Sequence, residues 1–335
     1  MKIATIVRLT IGLALTAAGL YIFLHNVDLS KLLSSLRAMH LLPLAGSCVF
    51  VICILYLRTV RWRIMLPDIP GSTKKNLFEI VTIGFFLNNI LPARMGEIGR
   101  AFILWKRNGY SGYVSIGSLI VERLLDLILF LAFFIIPVFT LPPCAPLRDF
   151  GVITAAIIVA ILIGFAFVLN INRFSCRRFQ WIIVKIPEKV RGKLHKIIQE
   201  LLSTLAWVYS WKKNCAVIVL SVLIGLCYCS MLMLLSPGYS LGILETMFAQ
   251  AFAVFGAMIP FAPGFVGTLH AVMLKGFLIL GVEIEEARAL IIVYHAINYI
   301  VITVLGLIFV FRMDLSFKEI MHASKKQIEE GATQK

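Results

Sequence analysis

Long apolar runs, separated by short polar segments, account for most of this chain. Five of them reach or approach the roughly 20 residues that a helix needs to cross a bilayer: Ile3–Leu24, Leu41–Val60, Gly151–Leu169, Cys215–Leu235 and Ala289–Phe311. A sixth run, Val114–Val138, has the length but carries three charged residues. This pattern predicts an all-α polytopic membrane protein with about six full transmembrane helices.

Two further apolar segments are shorter and are interrupted by polar residues, proline and glycine. The run Leu77–Leu91 has only fifteen residues, and basic clusters lie on both sides of it. It is too short to cross and return as full helices, so a re-entrant or broken helical hairpin is predicted, with its break in Asn88–Gly99. The segments Gly242–Ile259 and Thr268–Leu280 predict a second hairpin, which enters from the opposite side.

The two predicted breaks share a sequence pattern. Residues 90–99 and 258–267 both read apolar-apolar-Pro-x-x-x-Gly-x-x-Gly, 168 positions apart in a chain of 335. In each half, two crossings precede the hairpin and one follows. The halves, about 1–140 and 150–312, therefore form a predicted inverted repeat within a single transmembrane domain. The expected hinge residues, which suit sharp turns, are Pro92, Gly96, Gly99, Pro260, Pro263, Gly264 and Gly267. A chance match of this short pattern is the alternative.

The charge of the chain fits a membrane protein better than a nucleic-acid-binding one. The formal net charge is +15, but the basic residues fall between the apolar runs, as the positive-inside bias of cytoplasmic loops predicts. Three arginines mark the cytoplasmic end of the second run: Arg58, Arg61 and Arg63. Trp62 is expected at the membrane interface. The prediction is a multi-pass protein of the cytoplasmic (inner) membrane with an uncleaved first helix, cytoplasmic termini and a cytoplasmic tail at 313–335.

The segment 172–213 has the highest density of basic residues. Its apolar residues recur at helical spacing while charges fill the other face, which predicts an amphipathic helix on the cytoplasmic leaflet. These apolar residues are Val190, Leu194, Ile197, Ile198, Leu201, Leu205 and Val208, with Trp207, Tyr209 and Trp211 at the end as an aromatic belt. A cytoplasmic loop that only enforces topology is the alternative.

Polar residues within membrane spans are costly to insert and usually functional. Glu122 and Asp126 are four residues apart, hence on one helix face, and Arg123 can pair with Asp126 or with Glu97. Guanidinium groups bind phosphate in a bidentate manner, while the carboxylates could hold the arginines, receive a cationic headgroup or carry protons.

The residues expected to line a central substrate-binding cavity are Asn88, Asn89, Arg94, Glu97, Arg100, Glu122, Arg123, Asp126, Tyr294, His295 and Asn298. An ion-pair network that only locks the helices together is the alternative. No motif for a metal, a cofactor or a catalytic residue occurs in the sequence, so none is predicted.

These motifs resemble those of the lysylphosphatidylglycerol synthetase transmembrane, or flippase-like, domain family over nearly the whole chain. The similar stretches are Asn88-Asn89-x-x-Pro92-x-Arg94-x-Gly96-Glu97-x-x-Arg100, Val121-Glu122-Arg123-x-x-Asp126 and Pro260-x-x-Pro263-Gly264-x-x-Gly267. The third stretch departs from the family, which often shows Pro-Gly-Gly-x-Gly followed by an acidic residue. Here Phe265 replaces the second glycine and His270 lies downstream.

The resemblance implies a lipid translocator whose partners are membrane lipids, anionic or phosphate-bearing, and not nucleic acid. In larger relatives this domain flips aminoacylated phosphatidylglycerol made by a cytoplasmic aminoacyl-transfer domain. That domain is expected to be absent here, because few residues follow the last apolar run. Stand-alone relatives occur beside glycosyltransferase, polyprenyl-lipid and hopanoid pathways. The competing functions are therefore a membrane-embedded transferase acting on such lipids, or an accessory subunit of a lipid-biosynthetic enzyme.

Overall fold

The computed structural model describes residues 3–68, 73–91, 94–174, 200, 203–236, 241–259 and 262–313. Within these ranges the chain forms eleven α-helices and no β-strand. The predicted class, an all-α polytopic membrane protein, is confirmed.

The helices follow the apolar runs and differ from them mainly at the ends. They are α1 Ile3–Leu24, α2 Leu29–Arg37, α3 Leu41–Met65, α4 Lys74–Ile90, α5 Met95–Asn108, α6 Gly112–Thr140, α7 Arg148–Phe174, α8 Trp211–Leu235, α9 Ile243–Met258, α10 Thr268–Ile279 and α11 Ile284–Arg312. Short 3₁₀ turns cover Pro142–Leu147, Ala206–Tyr209 and Pro263–Phe265.

Six of the described helices, α1, α3, α6, α7, α8 and α11, are 22 to 29 residues long. At 1.5 Å rise per residue, helices of this length are long enough to cross the roughly 30 Å hydrocarbon core of a bilayer. Four stretches, α3, Pro142–Phe165, α8 and α11, are long and apolar enough by themselves to cross it.

The polar link at 26–40 contains a helix, α2, that was not predicted. Asp28 caps it by accepting the backbone N–H groups of Ser30 and Lys31 at 3.0 and 3.2 Å. Hydrogen bonds from the Ser30 side chain and the backbone lower the pKa of the Asp28 carboxyl below its usual range. The helix is bent 89° from α1, so it does not continue the first span.

The two predicted hairpins are present as the helix pairs α4–α5 and α9–α10. The α4 helix ends at Ile90 and α9 ends at Met258, which are aligned positions of the proposed repeat. The sequence analysis takes the basic cluster after Leu91 as a flank of the first hairpin. The structure corrects this, because Arg100 and Arg107 belong to the helix α5. In the second hairpin a 3₁₀ turn from Pro263 precedes α10, so the two breaks differ in detail.

Helix contacts of the first half recur between the corresponding helices of the second half. The α4 helix packs on α11, and its counterpart α9 packs on α6, while α3 packs on its own counterpart α8. This reciprocal pattern supports an internal repeat. Three crossings in each half would place the halves in opposite orientations, which stays a prediction.

Two apolar cores lie toward opposite ends of α11. One surrounds Phe86 and Ile103 and includes Val310, and the other surrounds Phe277 and includes Ile291. The stretch of α11 between these ends carries polar side chains, and the hairpin breaks meet it there.

Several predictions fall on residues outside the described ranges. The cationic segment is described only at its start and end, the tail only at residue 313, and the prolines Pro92 and Pro260 are not described. Trp207 was expected in an aromatic belt, but it is buried against Met65 and Val121. Tyr209 and Trp211 are exposed.

Candidate functional site

A cavity of about 210 Å³ lies where the two hairpin breaks meet α3, α6, α8 and α11. Its polar lining consists of Arg58, Asn88, Asn89, Arg94, Glu97, Arg123, Asp126, Tyr228, Gln250, Tyr294, His295, Asn298 and Tyr299. Nine of the eleven side chains expected there line it, whereas Arg100 and Glu122 lie behind its wall. The rest of the wall is apolar and aromatic, including Phe85 and Phe130.

The first break depends on a very close approach between α4 and α5. The backbone N–H of Gly96 donates to the side-chain oxygen of Asn88 at 2.9 Å. A Cβ on Gly96 would lie 2.1 Å from the carbonyl oxygen of Gly84 and 2.7 Å from the amide of Asn88. Only glycine permits this contact, so Gly96 lets α5 return against α4. Gly99, another predicted hinge, is buried in α5.

The second break uses left-handed backbone at three positions. Gly264, Phe265 and Gly267 have φ of 58°, 61° and 86°. A Cβ on Gly264 would lie 2.7 Å from the Tyr299 ring, and one on Gly267 would lie 2.4 Å from the carbonyl oxygen of Thr16. The break therefore packs tightly between α1 and α11.

Arg94 links the two breaks across the fold. Its guanidinium donates to the carbonyl oxygen of Ala257 at 2.7 Å, in the last turn of α9, where carbonyls lack helical partners. The same group lies 5.7 Å from the ring of Phe265. Among the described residues no carboxylate is within ion-pair distance of Arg94. The positively charged side chain of Arg94 is thus held at the cavity wall by neutral groups.

Glu122 and Asp126 are the centre of a buried ionic cluster on α6. Asp126 binds Arg58 at 2.7 Å and Arg61 at 2.6 Å, and Glu122 pairs with Arg100 at 2.9 Å. The predicted alternatives for Arg123 both occur, since it lies 3.4 Å from Asp126 and 3.6 Å from Glu97. Its strongest contact is with the neighbouring Glu122, at 2.7 Å.

Arg58 and Arg61 correct the sequence interpretation, which takes them as markers of the cytoplasmic end of the second apolar run. Both are buried in α3, with 4% and 0% of their surface exposed. Arg61 also donates to Ser221 of α8 at 3.0 Å. The burial of Arg58 and Arg61 could have been predicted from their helix face. They lie on the same face of α3 as the buried residues Ile54 and Leu55.

Trp62 was expected at the membrane interface, but it is completely buried. The indole N–H donates to the hydroxyl of Ser118 at 3.1 Å. The guanidinium of Arg100 stacks on the indole, 3.7 Å from the ring centroid. Trp62 therefore supports the ionic cluster by holding the arginine that neutralises Glu122.

We expect Trp62→Phe to lower the free energy of unfolding by about 1–2 kcal/mol, because the ring remains but the donor to Ser118 and part of the cation–π attraction are lost. Unfolding by SDS in mixed micelles measures this effect. Trp211→Phe, at a tryptophan that is 79% exposed, is the matched control and should leave stability unchanged. Equal effects of the two substitutions would contradict the assigned role.

The opposite wall of the cavity is uncharged and belongs mainly to α9 and α11. Tyr294 donates to the side-chain oxygen of Gln250 at 2.8 Å, a partner that was not predicted. Asn298 donates to the carbonyl of Tyr294 at 2.9 Å. Asn89 from the first break donates to the hydroxyl of Thr303 at 3.1 Å. These neutral groups can orient a polar ligand without balancing its charge.

Charged groups and neutral hydrogen-bonding groups together line the cavity. Within the described ranges, no three His, Cys, Asp or Glu side chains are placed to hold a metal. The fold and cavity define a class, the multi-pass α-helical membrane proteins that enclose a charged cavity.

This chain belongs to the family described as the lysylphosphatidylglycerol synthase TM region, whose family model matches residues 9–306. The resemblance recognised in the sequence is thereby confirmed. The chain is also similar to a UPF0104 membrane protein of Methanothermobacter thermautotrophicus, with 24% identity over 271 residues, which are 76% of this chain and 80% of the relative.

Two UPF0104 membrane proteins of Methanocaldococcus jannaschii are similar as well. One is 24% identical over 75% of this chain and 78% of its own length. The other is 21% identical over 67% of this chain and 92% of its own length. No solved structure matches this chain.

Proposed function

We propose that this protein is a lipid translocase of the cytoplasmic membrane. It passes the headgroup of a phospholipid or lipid-linked intermediate through the polar cavity while the acyl chains stay in lipid. The observation that carries the proposal is a surplus of positive charge within the helix bundle. Charged groups at membrane depth are costly, so a surplus there points to a functional role.

The surplus follows from the residues of the cluster. Five guanidinium groups face three carboxylates, which leaves this cluster of described residues with a net charge of +2; the groups are Arg58, Arg61, Arg94, Arg100 and Arg123 with Glu97, Glu122 and Asp126. A network that only locked helices together would be more stable with balanced charge. An entering phosphate would offset the surplus, and guanidinium groups bind phosphate well.

A second groove suits the acyl chains. It has a volume of about 410 Å³ and lies between α5 and α6. It shares four lining residues with the central cavity and is otherwise apolar: Glu97, Arg123, Leu127 and Met258. Ile116 and Ile120 on its wall are 44% and 54% exposed, as expected for lipid-facing side chains. A headgroup in the cavity could therefore stay attached to chains that remain in the bilayer.

The direct test is leaflet exchange in liposomes of phosphatidylethanolamine and phosphatidylglycerol that carry a headgroup-labelled fluorescent phosphatidylglycerol. Dithionite bleaches only the outer leaflet, so exchange increases the bleached fraction above half. We expect exchange with the purified protein and none in empty liposomes. Failure across a panel of phospholipids and polyprenyl phosphates would contradict the proposal, and product formed from a labelled donor would identify a transferase instead.

Arg94→Gln is expected to slow the exchange of anionic phosphatidylglycerol at least tenfold more than that of zwitterionic phosphatidylcholine. The substitution removes a cavity charge that has no carboxylate partner, and loss of a charge-assisted contact costs about 1.5–3 kcal/mol. Parallel dithionite assays with the two labelled lipids measure the ratio. Arg37→Gln, on the exposed surface of α2, is the control. An unchanged lipid preference in Arg94→Gln would contradict anion recognition by Arg94.

A further inference from the structure

Two histidines next to the second break, one on α10 and one on α11, are in contact beside the cavity. His295 of α11 lines the cavity, and the buried His270 of α10 lies behind it, with ring centroids 4.8 Å apart. Nδ1 of His295 is 3.4 Å from Nε2 of His270, and Nε2 of His295 is 2.9 Å from the carbonyl oxygen of Gly264. The backbone N–H of Gly267 donates to Nδ1 of His270 at 3.3 Å.

These contacts determine where the hydrogens lie. Because Gly267 donates to Nδ1 of His270, the neutral ring of His270 carries its hydrogen on Nε2. That hydrogen points at Nδ1 of His295, which must accept it. His295 therefore carries its own hydrogen on Nε2 and donates to the carbonyl of Gly264. One continuous chain of hydrogen bonds, with both rings neutral, ties α10 and α11 to Gly267 and Gly264 of the break.

A further proton cannot be added without breaking this chain. On Nδ1 of His270 the new hydrogen would meet the N–H of Gly267, and on Nδ1 of His295 it would meet the N–H of His270. The first event removes the link between α10 and the break, and the second removes the link between α10 and α11. The break is thus held to both helices while the pair is neutral, and it is held less firmly when the pair is protonated.

The surroundings connect the pair to the charge of the cavity. Phe23 of α1 packs edge-on against His270 at 5.0 Å, and Tyr299 lies 6.1 Å from His295. Among the described residues no carboxylate lies within hydrogen-bond distance of either ring. The other titratable and charged groups that line the cavity are Arg58, Arg94, Glu97, Arg123, Asp126, Tyr228 and Tyr294. The surplus of arginine charge opposes a proton on the pair while the cavity is empty.

We propose that His270 and His295 form a proton-binding site that is coupled to the entry of an anionic headgroup, an inference that rests on the proposed function for the identity of that anion. A phosphate in the cavity offsets part of the opposing positive charge, so it favours protonation of the pair. By linkage, protonation favours anion binding to the same extent. Protonation also releases the second break, which gives translocation a step that responds to the proton concentration.

The test is ¹⁵N NMR of histidine-labelled protein in nanodiscs of phosphatidylcholine alone or with phosphatidylglycerol. At pH 6 in phosphatidylcholine, the pair should be neutral with hydrogen on Nε2 of both rings. Phosphatidylglycerol should raise the ratio of charged to neutral ring about tenfold, which corresponds to about 1.4 kcal/mol. The exposed His40 is the control, because its ratio of charged to neutral ring responds to membrane surface charge alone. The ratio of the pair must rise more than that of His40.

Signals are assigned by their loss in His295→Gln and His40→Gln. A pair that is charged in phosphatidylcholine, that carries hydrogen on Nδ1, or that changes no more than His40 overturns the proton site. The outcome is separable from that of leaflet exchange. A lipid-dependent change without exchange would refute translocation and leave the coupled proton–anion site, whereas exchange without such a change would refute only the coupling.

Discussion

Replacing Asp126 by asparagine is expected to lower the free energy of unfolding by about 3–5 kcal/mol, the cost of leaving buried charges without their partner. Asp126 accepts from Arg58 at 2.7 Å and from Arg61 at 2.6 Å, and both arginines are buried. The neutral amide keeps the shape but cannot neutralise two guanidinium groups. SDS-induced unfolding in mixed micelles, followed by tryptophan fluorescence, measures the change.

The chain provides a matched control in Asp68→Asn. Asp68 pairs with Arg63 at 2.8 Å, but the aspartate side chain is 79% exposed. The hydrogen bond from Arg63 lowers the pKa of the Asp68 carboxyl, yet solvent screens exposed pairs and reduces their contribution to stability. We expect no measurable change in unfolding. If Asp126→Asn were equally harmless, the ionic cluster would not be a buried electrostatic network.

Gly96→Ala is expected to destabilise the protein by about 1–3 kcal/mol through overpacking and to abolish leaflet exchange. The added methyl group would lie 2.1 Å from the carbonyl oxygen of Gly84 and would displace the amide oxygen of Asn88, 2.6 Å away. Backbone oxygen cannot move aside without separating α4 from α5. The cavity wall formed by Asn88, Asn89 and Arg94 would move with it.

Gly164→Ala is the matched control for this substitution. Gly164 lies in α7, and no heavy atom comes within 4 Å of the added Cβ. Because alanine favours a helix over glycine by about 1 kcal/mol, stability should stay equal or increase slightly. Unfolding and leaflet-exchange assays on both variants measure these effects. Leaflet exchange at the unaltered rate in Gly96→Ala would show that exchange does not require the close approach of α4 and α5.

The helices and hairpins could be predicted because bilayer thickness and backbone chemistry leave local signals. Apolar runs of sufficient length mark the spans, and proline, glycine and asparagine mark the breaks at Asn88–Gly99 and 258–267. The amphipathic α2 was missed because its nine residues follow a long apolar run and resemble a polar linker.

The environments of the arginines could not be predicted by the same means. The positive-inside bias counts basic residues near the end of a span and ignores the helix face, so it takes Arg58 and Arg61 only as markers of the cytoplasmic end. Arg94 contacts Ala257, 163 residues away, which no local pattern indicates. The pairing of His270 with His295 likewise depends on how two helices pack around a break.

Passage of a headgroup through the cavity is tested most directly by leaflet exchange in two tryptophan variants of α11. Asn298 lines the cavity of about 210 Å³, so Asn298→Trp fills much of this space. Ile300, two residues further along the same helix, is 58% exposed, so Ile300→Trp adds the same side chain on the outer face.

The unfolding of both variants is measured first and must match that of the unaltered protein. We expect Asn298→Trp to reduce the rate of phosphatidylglycerol exchange to that of empty liposomes, while Ile300→Trp exchanges lipid at the unaltered rate. Undiminished exchange in a folded Asn298→Trp protein would contradict passage through the cavity.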